Sequence, residues 1–220
     1  MLLLATQAEP QMLAFEHPNL GRLAQPRHFP RVADTAARGV PWASDNDAFR
    51  RFDAAAFERM LHGLAGLPGC LFVTCPDVVG DGGLTDLLFA EWAPRIMRHQ
   101  LPVAYVVQEE GLEYQWDGVP WGAIEALFIG CASDEEKLGG RVRGLVAEAK
   151  RRGKWVHMGR VNSARRIAYA TEIGCDSIDG TKWVRWRDTY LAEGLRLVSA
   201  PPQLGLLQPN SGASPEVGSR

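Results

Sequence analysis

Residues 154–181, KWVHMGRVNSARRIAYATEIGCDSIDGT, decide the fold. Two short apolar runs, Trp155 to Met158 and Cys175 to Ile178, flank a segment with apolar residues at helical spacing and a basic start. The pattern reads as strand, loop, helix, strand. Gly174, just past the helical segment, stands where a left-handed cap ends a helix. The first run leads into Gly159-Arg160-Val161-Asn162-Ser163 and the second into Asp179-Gly180-Thr181. In α/β folds with parallel strands, chemistry gathers at the carboxyl ends of the strands. Asp179 is therefore the first catalytic candidate.

The same alternation extends outward. Strand-like runs are read at Leu2 to Thr6, Val40 to Ser44, Leu71 to Cys75, Pro102 to Val107, Ala126 to Ile129 and the two already quoted, with Arg196 to Ser199 as an eighth. Helical spacing is read at Ala54 to Leu64, Thr85 to His99, Leu138 to Arg152 and Ser163 to Ile173, and Gly153 again follows a helix. Near-continuous apolar strands between helices imply a parallel sheet covered by helices. Seven or eight such units favour a single α/β (β/α)8 barrel over residues 1–200. Residues 201–220 are rich in Pro, Gly and Ser and are expected to form a flexible tail.

Bulk properties bound the function. With 220 residues, 46% hydrophobic and 23% charged, the chain fits one soluble globular domain. The start, MLLLATQAEP, is apolar for only five residues and has no basic lead, so neither a signal peptide nor a membrane span is expected, and the expected location is the cytoplasm. Cysteines 70, 75, 131 and 175 form no CxxC pair and read as small buried hydrophobes. No GxGxxG or Walker loop follows a strand, and no zinc site is recognisable, so no cofactor is expected. The net charge of −2 hides an asymmetry: residues 137–187 hold 13 Lys and Arg against 4 Asp and Glu, while residues 1–136 hold 9 against 19. A basic third on an acidic body reads either as a polyanion surface or as solvated helix faces.

In a barrel the strand ends share one mouth, which collects Asp45, Asp77, Gln108, Gly130, Met158 and Asp179. Carboxylates, an amide and glycine backbone can read a purine-like base, a thioether can pack on its ring, and a carboxylate can attack a sugar carbon. Arg160, Asn162 and Ser163 open a helix that can bind phosphate. Plain structural readings stand beside these. Asp45 can cap a helix, Asp77 can organise a turn in competition with Asp81, and Gln108 can be merely exposed. Gly130 can be a turn residue, Met158 core filler, His157 a satisfied core histidine and Asp176 a partner for an arginine. Asn162 or Ser163 can be a simple cap.

The order of these motifs resembles the tRNA-guanine transglycosylase family, a family of (β/α)8 barrels that exchange guanine for a 7-deazaguanine in a polynucleotide. Asp45-Asn46-Asp47-Ala48-Phe49-Arg50 resembles the family's DSGGFQ, and Leu71 to Asp77 its strand ending in a base-binding acid. Val106-Val107-Gln108-Glu109-Glu110 resembles IVQGG, and Leu127 to Cys131 resembles LAVGE. Val156 to Val161 resembles YLMGVG, and Gly174 to Thr181 resembles GVDMFDCV, which carries the nucleophile. The likeness spans residues 45–181 and is greatest to short phage-encoded relatives, some of which act on DNA.

The resemblance implies Asp179 as nucleophile and Asp45 in proton transfer. It implies Asp77, Gln108 and the Gly130 backbone as readers of the base, with Met158 stacked on it. The nucleic-acid backbone would be held by the basic segment from Lys137 to Arg187, chiefly by Arg160, Asn162, Arg165, Arg166, Lys182 and Arg185. DNA is favoured over tRNA as substrate. The partners implied are that nucleic acid and a 7-deazaguanine base, with a homodimer or an accessory protein as open alternatives. The family's CxCxxC with a later histidine has no counterpart in this sequence. The glutamates after Gln108 depart from the family pattern and would crowd an anionic substrate. Two other classes compete: a small-molecule barrel enzyme with Asp45, Asp77 and Asp179 around a divalent cation, and a catalytically silent nucleic-acid-binding barrel.

Overall fold

The computed structural model describes residues 1–6, 15–48, 52–109 and 118–200. The tail from residue 201, together with Phe49, Arg50 and Glu110, lies outside the described residues. The described chain is a (β/α)8 barrel. Eight parallel strands close in sequence order: β1 (Leu2–Thr6), β2 (Leu20–Ala24), β3 (Trp42–Ser44), β4 (Cys70–Thr74), β5 (Val103–Val107), β6 (Ala126–Ile129), β7 (Trp155–Met158) and β8 (Ser177–Asp179). Closure runs through β1 and β8, with Leu3 opposite Ile178 and Leu4 opposite Asp179.

The described helices are α1 (Val32–Ala36), α2 (Ala54–Leu64), α3 (Gly82–Arg98), α4 (Asp134–Lys137), α5 (Gly140–Arg151), α6 (Ala164–Ile173), α7 (Thr181–Arg185) and α8 (Arg187–Ser199). Their starts are chemically marked. Asp53, Asp81, Ser133 and Ser163 accept a first-turn N–H of α2, α3, α4 and α6. Gly174 ends α6 at φ +89°, a conformation that favours glycine.

Strand alternation divides the core in two. Inside the barrel lie Leu4, Leu23, Ala43, Phe72, Ala104 and Ala126, with Phe128 and Trp155 packed on them. Outside, Leu127, Ile129, Val156 and Met158 join the helix residues Phe57, Trp92, Ile96, Leu145 and Leu195 in the larger core. Each fully buried aliphatic or aromatic side chain contributes about 1.5–3 kcal/mol. Among the described residues, no helix is long and apolar enough to cross a membrane.

One strand differs from the sequence reading. Arg196 to Ser199 is not a strand but the last turn of α8, whose Leu191, Leu195 and Val198 are buried on one face. The missing strand is Leu20–Ala24, whose pattern is broken by Gly21 and Arg22. Gly21 is required there because a Cβ would lie 2.5 Å from the inward-facing Leu4 side chain and 2.9 Å from the Pro41 carbonyl. Arg22 is buried and donates to the Phe15 carbonyl at 2.7 Å.

The basic segment is not one face. Lys150 and Arg151 end α5, and Arg152 and Lys154 lead from it into the amino-terminal end of β7, on the side opposite the mouth. Lys150 pairs there with Asp176, at 2.6 Å, and Arg151 and Arg152 with Glu148. Asp176 thus has the structural role, with a lysine rather than an arginine.

Asp81 is the cap of α3, accepting from Leu84 N–H at 2.8 Å, which leaves Asp77 as the acid of that loop free for the mouth. Asp81→Ala is expected to lower unfolding free energy by about 1 kcal/mol in chemical denaturation.

Candidate active site

The mouth is a cavity of about 550 Å³, within the roughly 300–1,000 Å³ of small-molecule sites. It draws on most of the strand ends: Thr6, Leu23, Gln25, Arg27, Asp45, Asn46, Asp47, Thr74, Asp77, Val79, Phe128, Gly130, Arg160, Asn162, Asp179, Thr181, Val184 and Arg185. Asp45, Asp77 and Asp179 therefore share one space. Among the described residues, no group of three or more His, Cys, Asp or Glu is placed to hold a metal ion.

Asp179 is the last residue of β8, with a side chain 15% exposed. Its Oδ1 accepts from the Arg160 backbone N–H at 2.9 Å and lies 3.2 Å from His157 Nε2. Arg160 adopts φ +60°, unusual for a residue with a side chain. The turn is held on both sides: Lys137 Nζ donates to the Gly159 carbonyl at 2.5 Å, and Arg166 donates to the Arg160 carbonyl at 2.6 Å. Gly159 leaves room for the Phe128 ring, which a Cβ would approach to 2.7 Å.

Asp45 follows β3 and accepts from Gln25 Nε2 at 3.2 Å. Burial, reinforced by the like charges of Asp179, Asp77 and Asp47, pushes its carboxyl up to about 7, against the opposing Gln25 hydrogen bond. Such a group gives and takes a proton near neutral pH.

Asp77 is held from both sides. Asn46 Nδ2 donates to Oδ1 at 2.7 Å and Gln108 Nε2 to Oδ2 at 2.6 Å. The orientation of Asn46 follows from its neighbours, since Nδ2 also donates to the Cys75 carbonyl while Oδ1 accepts from Ala48 N–H. Burial raises the Asp77 carboxyl, opposed by the Asn46 bond, the Arg160 charge and the Gln108 bond.

Two residues expected at the base fall elsewhere. Gln108 is buried, does not line the cavity, and receives Gly80 N–H on its Oε1, so it acts by holding Asp77. Met158 is fully buried among the helices, because alternation along β7 turns His157 and Gly159 inward instead. The apolar wall of the cavity is built by Phe128, Leu23, Val79 and Val184. Gly130 does line it, and a Cβ there would stand 2.9 Å from Gln108 Nε2 and 2.8 Å from Val106 Cγ1. Its N–H is used by the Val107 carbonyl.

The expected cations also divide. Arg160, Asn162 and Arg185 line the cavity. Arg166 pairs with Asp134 at 2.6 Å, Lys182 lies over the rings of Trp183 and Tyr190, and Arg165 is exposed on the first turn of α6. Lys137 is fully buried and cannot reach a phosphate; burial pushes its ammonium group down to about 8. Glu109 accepts from Ala132 and Ser133 N–H, which holds its carboxyl below the ordinary range and turns it to the start of α4.

Several site residues escaped the sequence reading. Gln25 and Arg27 follow the unrecognised β2, and Arg27 pairs with Asp47 at 2.6 Å on the cavity rim. Thr74 is buried with a hydroxyl that has no partner among the described residues, on the floor of the cavity. A ligand polar group there would remove a penalty of about 1–3 kcal/mol. His157 is the buried core histidine that the sequence suggests, and its Nε2 lies 3.2 Å from Asp179 Oδ1. No protein-family model matches the chain, and no curated protein matches it.

Asp45 generates a pH prediction. Below its ordinary value of 3.8 the carboxyl is protonated in both the folded and unfolded states. As pH rises toward about 7 only the unfolded chain ionises, so stability is lost across that window. Asp45→Asn is expected to gain stability over the parent by roughly 2–4 kcal/mol above pH 7, and to match it near pH 4. Thermal denaturation across that range checks both ends.

Proposed function

We propose that this barrel is a base-exchange glycosyltransferase that replaces guanine in a nucleic acid, DNA in preference to tRNA, by a 7-deazaguanine. The observation that carries the reading is the pairing of two acids in one cavity: Asp179 at the end of β8, anchored through one oxygen, and Asp45, raised to about 7 beside it. Environments that separate the roles of two carboxyl groups are how acid and nucleophile are assigned at neutral pH. The motif resemblance names the same two residues.

In this mechanism Asp179 Oδ2 attacks the anomeric carbon of a guanine nucleotide. The C1′–N9 bond breaks, its electron pair leaves with guanine, and the protonated Asp45 supplies the proton. A glycosyl-aspartyl ester remains. The incoming 7-deazaguanine gives its ring N–H proton to the Asp45 carboxylate, its nitrogen forms the new bond to C1′, and Asp179 is released. The negative carboxylate also stabilises the oxocarbenium-like transition state. Asp77 accepts from the N–H groups on the base edge, while Gln108 and Asn46 hold Asp77 still. Phe128 offers the apolar contact first expected of Met158. Arg160 and Arg185 supply positive charge at the rim. A base in a duplex must be extruded to reach this depth, so a flipped nucleotide or a single strand is the substrate form.

The test is incubation with radiolabelled guanine and, separately, duplex DNA, single-stranded DNA and tRNA. Label is expected to enter DNA, to be lost in Asp179→Ala, and to enter about 10²–10⁴-fold more slowly in Asp45→Asn. Retained incorporation by Asp179→Ala refutes the assignment. No incorporation into any polymer, with no guanine release when 7-cyano-7-deazaguanine is supplied, refutes the function.

A further inference from the structure

We infer that His157 is a positioning residue for Asp179, held in one tautomer by Ser177 and Trp155 so that Asp179 Oδ1 is fixed and Oδ2 is left to react. The inference rests on the base-exchange reading for its catalytic meaning, but its geometry is independent of the substrate.

Trp155, His157 and Ser177 lie on the inner faces of the adjacent strands β7 and β8. Trp155 Nε1 donates to Ser177 Oγ at 2.8 Å. An indole nitrogen is only a donor, so the hydroxyl accepts there. A carboxylate oxygen only accepts, so with Asp179 at Nε2 the hydroxyl proton is the one that points to His157 Nδ1, 2.8 Å away. A ring whose Nδ1 accepts carries its proton on Nε2, which faces Asp179 Oδ1 at 3.2 Å. Donation thus runs in one direction, from Trp155 through Ser177 and His157 to Asp179.

Packing holds the ring in that orientation. His157 is fully buried, and its centroid lies 4.6 Å from that of Phe128 and 5.2 Å from that of Phe72. It does not line the cavity, so it meets neither solvent nor substrate. Together with the Arg160 N–H at 2.9 Å it gives Oδ1 two donors, while Oδ2 receives none from the described residues. The carboxylate cannot rotate freely, and one oxygen keeps its lone pairs for the anomeric carbon. His157 transfers no proton in the cycle; it orients the group that forms the bond.

Two measurements on the full chain test this. The first is a long-range ¹H–¹⁵N correlation spectrum of protein with ¹⁵N-labelled histidine. His157 is expected as the Nε2-protonated tautomer, changing to a mixture in Ser177→Ala. An Nδ1-protonated ring, or a spectrum unchanged by Ser177→Ala, overturns the inference whether or not base exchange occurs. The second compares His157→Phe, which fills the space without donating, with His157→Gln, which keeps a donor. Single-turnover guanine release is expected to fall about 100-fold in His157→Phe. Free-guanine affinity is expected to stay within about twofold, and His157→Gln to recover at least about tenfold of the rate. Unchanged release in His157→Phe, or equal loss of rate and affinity in both variants, contradicts it. If His157→Phe does not fold, Ser177→Ala takes its place and is expected to slow release without changing guanine affinity. Guanine release absent in the parent protein refutes the base-exchange reading, while the tautomer still decides the contact with Asp179.

Discussion

The loop after β7 turns through Arg160 in a left-handed conformation, and the geometry at the mouth depends on how that turn is held. The Arg160 N–H binds Asp179, the preceding carbonyl is bound by the buried Lys137, and the following carbonyl by Arg166. Val161 N–H then closes on the Asp179 carbonyl at 2.6 Å. A left-handed residue with a side chain costs about 1–3 kcal/mol, and it persists because two cations and a strand end over-determine it. The clamp joins three consecutive units: α4 supplies Lys137, α6 supplies Arg166, and β8 supplies Asp179.

Around this clamp the mouth carries a cost in stability. Four carboxyl groups, Asp45, Asp47, Asp77 and Asp179, share one cavity, and burial works against the charge on Asp45 and Asp77. Each has a different compensation: Gln25 for Asp45, Arg27 for Asp47, two side-chain amides for Asp77, and for Asp179 the Arg160 N–H with the inferred His157 Nε2–H beside it. In the proposed reaction the roles follow from those partners. A carboxyl with a single weak donor can exchange a proton, one gripped on both oxygens can recognise, and one gripped on a single oxygen can attack.

Much of this was legible in the sequence. Asp179, Asp45 and Asp77 stand at strand ends because apolar runs are short and end abruptly in acids, a signal local enough to read directly. The barrel was legible for the same reason. What failed was anything set by the phase or the context of a strand. Leu20–Ala24 carries a glycine made necessary by Leu4 and a buried arginine that donates to the Phe15 carbonyl, so its pattern hides the strand and with it Gln25 and Arg27. The run Trp155 to Met158 is apolar or aromatic throughout, so periodicity could not show that His157 faces in and Met158 out. Lys137 reads as a surface cation in DEEK, yet α4 directs it inward to the Gly159 carbonyl. Arg196 to Ser199 reads as a strand only when its four residues are separated from the helical face that begins at Leu191.

The central claim is that Asp179 forms a covalent bond to the sugar of a guanine nucleotide. The direct measurement is to quench the protein during incubation with a guanine-containing oligonucleotide, digest both, and locate any added sugar-phosphate mass by peptide fragmentation. The account predicts that mass on Asp179, within the tryptic peptide from Ile167 to Lys182. Guanine release with no adduct, or an adduct on Asp45 or Asp77, would contradict it.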